Sequence, residues 1–119
     1  MSNKNVRLLW LTLALVTPEY KPEAKALYYK ELNGYTSEIN HFETRQLAFQ
    51  YLYEIQALND ASLVNLVKAT QHHTWQFKKT SRNLLERLVK NEDIKKRIFN
   101  NSNSLNDKEK HTLNKLITQ

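Results

Sequence analysis

Cysteine is absent from this 119-residue chain, glycine occurs once and proline twice. Without a thiol there is no disulfide, no thiolate nucleophile and no thiolate zinc site, so thiol redox chemistry is excluded and any metal would need His and carboxylates alone. The compartment is left open by the same fact. β-Sandwiches, barrels and βαβ units turn their chains on frequent Gly, Asn-Gly or Pro loops, which this composition cannot supply. The metallopeptidase pattern HExxH, the nucleophile elbow GxSxG, the phosphate loop GxxxxGK[ST] and the dinucleotide motif GxGxxG are all missing, and a single Gly makes the last two impossible.

Hydrophobic residues make up 40% of the chain and charged residues 25%, enough for one ordinary core. Eighteen Lys and Arg against twelve Asp and Glu give a net charge of +6, which favours loose attraction to a polyanion or an acidic partner surface. Lys4 and Arg7 ahead of the apolar run 8–16 imitate a secretory leader. The imitation fails because Thr17, Pro18 and Glu19 follow with no small-residue cleavage site, and the run is about half the length of a bilayer crossing. A buried helix of a soluble protein is the expectation, with no signal peptide, no transmembrane segment and no membrane partner.

The rest of the chain reads as helices. Val6, Leu9, Trp10, Leu13 and Val16 recur at helical spacing, with Leu8, Leu11 and Leu15 on the flanks, so the first helix is expected to be covered on most sides and to end at Pro18. A second helix is expected over about 22–33, with Pro22 in its first turn and Gly34 as a left-handed stop. Asn40 with Glu43 has the spacing of a capping box, opening a third helix that carries Leu47, Tyr51, Ile55 and Leu58 along one line. Asn59 or Asp60 caps a fourth helix through Leu63, Leu66 and Val67, and the polar break 71–73 is a loop. Phe77, Ser81, Leu84 and Leu88 mark a fifth over 75–90, with Trp75 capping the core, and a short sixth runs over about 92–99.

The polar stretch 100–104 reads as a flexible connector. It divides a helical domain, 1–100, from a tail, 101–119, whose Asn106 and Glu109 form a second capping box. Leu113, Leu116 and Ile117 give that last helix only a thin apolar edge for weak docking. The fold class is all-α. Pairs three with four and five with six repeat at a period of roughly 30 to 40 residues, which predicts antiparallel helix pairs stacked as a short HEAT- or armadillo-like α-α superhelix, with an irregular orthogonal bundle as the alternative.

No set of residues forms a recognisable catalytic group. His72 and His73 are adjacent, and neighbours on a helix diverge by about a hundred degrees where metal ligands sit at i, i+3 or i+4. A loop-to-helix junction is the plainer reading, and His41 and His111 read as structural too. Lys78, Lys79, Arg82, Arg87 and Lys90 form a basic cluster near Trp75 and Phe77. Glu86 lies four residues from both Arg82 and Lys90, and the two aromatics fall on the core stripe. The expectation is therefore a solvated face laced with ion pairs, with nucleic acid an unlikely partner.

Three segments carry a resemblance: NHFETRQLAFQYLY from Asn40, KATQHHTWQFKK from Lys68 and RNLLERL from Arg82. They resemble the carboxy-terminal helical domain of zinc aminopeptidases of the gluzincin clan, the branch of alanyl aminopeptidases and leukotriene hydrolase. RLLWLTLALVTPEY from Arg7 resembles the preceding helix in bacterial members, so the likeness covers about residues 6–100. It implies a non-catalytic domain that packs on the catalytic domain of a parent enzyme and walls the peptide-substrate cavity. Zinc, HExxH and the Gly-rich exopeptidase motif belong to the parent's central domains, so this chain holds no cofactor and hydrolyses nothing alone.

In the leukotriene hydrolase branch, a Gly-Arg-Met-Lys-Phe stretch points basic side chains into the cavity. The matching residues here run from His73 to Phe77, which puts Thr74 and Gln76 at the basic positions and leaves only hydrogen bonding there. His72, His73 or Lys79 would have to compensate. The resemblance thus implies His72, His73, Thr74, Gln76 and Lys79 as cavity-lining residues, and no catalytic or metal-binding residue. The rival reading is a free-standing helical-repeat module that grips an acidic protein or nucleic acid through its basic face.

Overall fold

The computed structural model describes residues 3–118. Among them are seven α-helices and one 3-10 turn, with no strand: α1 (Asn3–Val16), α2 (Pro22–Gly34), α3 (Phe42–Glu54), α4 (Asp60–Ala69), α5 (Trp75–Leu88), α6 (Glu92–Asn100), the turn Ser102–Ser104 and α7 (Asp107–Ile117). The all-α expectation holds. Packing divides the chain into two compact units between Ser62 and Leu63, within α4.

In the first unit α1 packs against α2 and α3. Leu8, Leu11, Thr12 and Ala14 share its inner face and are buried, together with Leu32, Ala48, Phe49 and Leu52 of the neighbouring helices. Full burial of each Leu contributes about 1.5–3 kcal/mol. The outer face corrects the expectation of a helix covered on most sides. Val6, Leu9, Leu13 and Val16 stay 37–57% exposed, because only one side of α1 meets α2 and α3.

At the edge of that face Trp10 stands edge-on to Tyr28 (5.0 Å) and Tyr20 (6.0 Å). Arg7 lies over the indole and reaches α2 with a two-pronged grip, Nε and Nη2 each donating to the Glu31 carboxylate at 2.8 Å. The Arg7 hydrogen bonds hold the Glu31 carboxyl below its ordinary range, burial opposing them. A depressed carboxylate stabilises the fold above the unfolded-state value and loses that contribution as pH falls through the folded-state value. Both side chains are substantially exposed, so solvent screening limits the pair to about 0.5–1 kcal/mol. Glu31→Gln is expected to lower the melting temperature slightly at neutral pH and to flatten the acid limb of the stability curve; an unchanged acid limb would show the pair to be idle.

Helix ends depart from their sequence readings in three places. Gly34 is the last residue of α2 and has no positive φ; the helix closes by tightening, with the Tyr35 and Thr36 N–H groups bonding the Leu32 and Asn33 carbonyls. Asn40 does not cap α3. Its side-chain amide donates back to the Gly34 carbonyl at 3.3 Å, and His41 is the N-cap, its Nδ1 accepting the Glu43 N–H. α3 stops at Glu54, short of the expected Leu58, because Gln56 turns left-handed (φ 55°). Its N–H reaches the Tyr53 carbonyl and that of Ala57 reaches Leu52, the paired closure of a Schellman motif on a residue other than Gly.

Behind these turns lies a buried polar cluster. Asn33 donates through Nδ2 to the Tyr29 and Ala57 carbonyls, both at 3.0 Å, and its Oδ1 accepts from the Asn59 N–H (2.9 Å) and Ser62 Oγ (2.6 Å). Ser62 Oγ also meets Thr36 Oγ1 at 3.0 Å, and Arg45 Nε donates to the Thr36 carbonyl at 2.9 Å. One amide thus ties the end of α2 to the turn after α3 and the start of α4.

In the second unit Phe77, Ser81, Leu84, Leu85 and Leu88 turn inward from α5, joined by Ile98 of α6 and Leu113 and Leu116 of α7. Asn91 caps α6, and the Asn106–Glu109 capping box of α7 is complete, each side chain meeting the other's backbone N–H at 2.8 Å. The stretch 100–104 takes a defined shape. Asn100 closes α6, the Asn101 amide bonds the Arg97 carbonyl, Ser102 bonds Phe99, and Leu105 just beyond is buried.

Candidate functional site

The junction leading into α5 gathers most of the residues expected to line a cavity. His72 Nδ1 accepts the Thr74 N–H at 3.0 Å, its ring stacks on His73 (centroids 4.2 Å apart) and lies nearly perpendicular to Phe77 at 4.9 Å. One imidazole nitrogen is therefore committed to the backbone. Among the described residues no three His, Asp or Glu side chains come together to hold a metal ion. Thr74 is the N-cap of α5 in extended conformation, without a side-chain cap bond, and its carbonyl accepts the Lys78 N–H. Gln76 is exposed on the next residue but one.

Lys79 belongs to a different feature. Trp75, Lys78, Lys79, Arg82, Asn83 and Glu86 on α5 and Leu116 on α7 enclose a groove of about 450 Å³. Its position follows from helical period: Trp75, Lys79, Arg82 and Glu86 recur every three or four residues, so they share a face opposite the buried stripe of Phe77, Leu84 and Leu88. Trp75 precedes Phe77 by two residues and points about 160° away from it around the helix axis.

Two expectations about this face are overturned. Trp75 does not cap the core: it is 69% exposed, with the Lys79 ammonium 5.0 Å from its ring centre, and only Phe77 of the two aromatics is buried. Nor is the face laced with ion pairs. Among the described residues Glu86 pairs with neither Arg82 nor Lys90, and Lys78, Lys79 and Arg82 form no salt bridge. Such i, i+4 pairs are worth only about 0.3–0.5 kcal/mol, too little to order two long side chains unaided. The groove thus presents three uncompensated cations, one carboxylate and an open indole.

A smaller recess of about 210 Å³ continues past Glu86, between Val89, Lys90, Glu92, Lys95 and the end of α7. Its charges are mixed, Glu92 and Lys95 approaching to 3.5 Å, and it offers no comparable face.

The second distinctive surface is on α1. Val6, Leu9, Leu13 and Val16 follow one another by three, four and three residues, the spacing of a coiled-coil seam, and all face solvent. No described helix is long and apolar enough to cross a membrane. Compared with protein-family models, curated proteins and solved structures, the chain matches none.

Proposed function

We propose that this chain is a non-catalytic helical domain of a zinc aminopeptidase, its helix pairs arranged in HEAT-like fashion, packing on the catalytic domain and walling the peptide cavity. The observation that carries the reading is the open seam of α1. Half-exposed Val and Leu side chains at coiled-coil spacing would each gain about 1 kcal/mol from cover, and a helix face of this pattern is matched by another helix rather than by water. The resemblance of residues 6–100 to aminopeptidase carboxy-terminal domains supplies the partner: helices of the parent enzyme would cover α1.

In this reading the junction at His72, His73, Thr74 and Gln76 faces the substrate, contributing hydrogen bonds and shape while the parent's zinc does the chemistry. A packed helical layer restricts access and excludes water without breaking a bond. The test is the coding sequence contiguous with Met1. An in-frame HExxH a few hundred residues upstream is the expected result, and a free-standing reading frame overturns the proposal.

A further inference from the structure

The α5 groove calls for a ligand that the aminopeptidase reading does not provide, and the inference drawn from it stands independently of that reading. We propose that the groove of Trp75, Lys78, Lys79, Arg82 and Asn83 binds single-stranded nucleic acid, the indole stacking on a base and the cations holding successive phosphates. Three observations converge. The indole is 69% exposed although tryptophan is highly buried on average, and the Lys79 ammonium lies 5.0 Å from its ring centre. Among the described residues Lys78, Lys79 and Arg82 form no ion pair. From Trp75 to Arg82 the helix rises about 10 Å, a span of two or three nucleotides.

The chemistry selects among polyanions. A duplex keeps its bases stacked inside and offers the indole nothing to cover, whereas every unpaired base presents a π-face. An acidic peptide would bring carboxylates toward the negative face of the aromatic ring, which repels them. A bilayer surface needs a broad apolar helix face, and the apolar face of α5 is already buried in its own unit. Asn83 adds a side-chain amide able to donate to and accept from a base edge. Glu86 closes the cationic run at one end and limits the site to a short stretch of strand.

The experiment titrates the full chain with a fluorescent dodecamer of thymidylate or uridylate at about 50 and 200 mM salt, reading anisotropy and tryptophan quenching. With three phosphate contacts, affinity is expected to fall about tenfold or somewhat more between those salt concentrations. Trp75→Ala is expected to weaken binding about tenfold or more through loss of stacking, and Arg82→Glu with Lys79→Glu to abolish it. Trp10→Phe separates the two indoles: quenching should persist in that variant and vanish in Trp75→Ala. All these groove side chains point outward, and circular dichroism checks that each variant stays folded. Equal affinity for Trp75→Ala and the unchanged chain, equal competition by a DNA duplex or by polyglutamate, or no binding at the lower salt would each overturn the proposal.

Discussion

Asn33→Ala is expected to destabilise the first unit by about 3 kcal/mol, the larger part coming from groups left without partners. The side chain is 3% exposed and meets the Ala57 carbonyl, the Asn59 N–H and the Ser62 hydroxyl, of which the Ser62 hydroxyl is fully buried and the other two partly so. Each buried orphan costs about 1–3 kcal/mol, and neighbouring losses are less than additive because the loops relax together. Asn33→Asp sets a buried carboxylate against the Tyr29 and Ala57 carbonyls, and is expected to cost at least as much as Asn33→Ala at neutral pH and less as acid protonates it. Urea unfolding followed by amide exchange in α2 and α4 checks the result. A loss below about 1 kcal/mol would show that the cluster is a bystander.

Phe77→Ala should destabilise the second unit by about 3–5 kcal/mol, since a fully buried ring is replaced by a cavity beneath α5. Trp75→Ala, two residues earlier, should stay within about 0.5 kcal/mol, because its ring is already in solvent. The contrast is diagnostic. Comparable losses at the two positions would place Trp75 in the core after all and remove the accessible indole on which the groove depends. Thermal unfolding of the two variants, compared side by side, decides this.

Periodicity made the helices legible. Phe77, Ser81, Leu84 and Leu88 repeat as only a helix with one buried face would, and the Asn106–Glu109 box states its own geometry. What sequence could not reveal was decided by hydrogen bonds that residue type and spacing do not encode, some local and some between segments remote along the chain. Gln56 carries no mark of the left-handed turn it adopts, since its hydrogen bonds rather than its side chain hold it there. Asn33 looks like any polar residue near a helix end until Asn59 and Ser62 arrive beside it.

The candidate site shows the same split. Lys78, Lys79 and Arg82 could be read as a basic face directly, but whether Glu86 neutralised them depended on side-chain geometry that i, i+4 spacing permits without requiring. Trp75 differs. The core-stripe reading groups it with Phe77, whereas a two-residue spacing sets the pair on nearly opposite sides of α5 and puts Trp75 outside.

The twin apolar faces of α1 also bear on how the polypeptide is made. α1 leaves the ribosome before α2 and α3 exist, so both of its greasy flanks are bare until synthesis passes Glu54, and afterwards one flank is still about half-exposed. A nascent chain in that condition is prone to aggregate unless a chaperone covers it. Its yield on expression by itself should hinge on how soon something shelters Leu9 and Leu13.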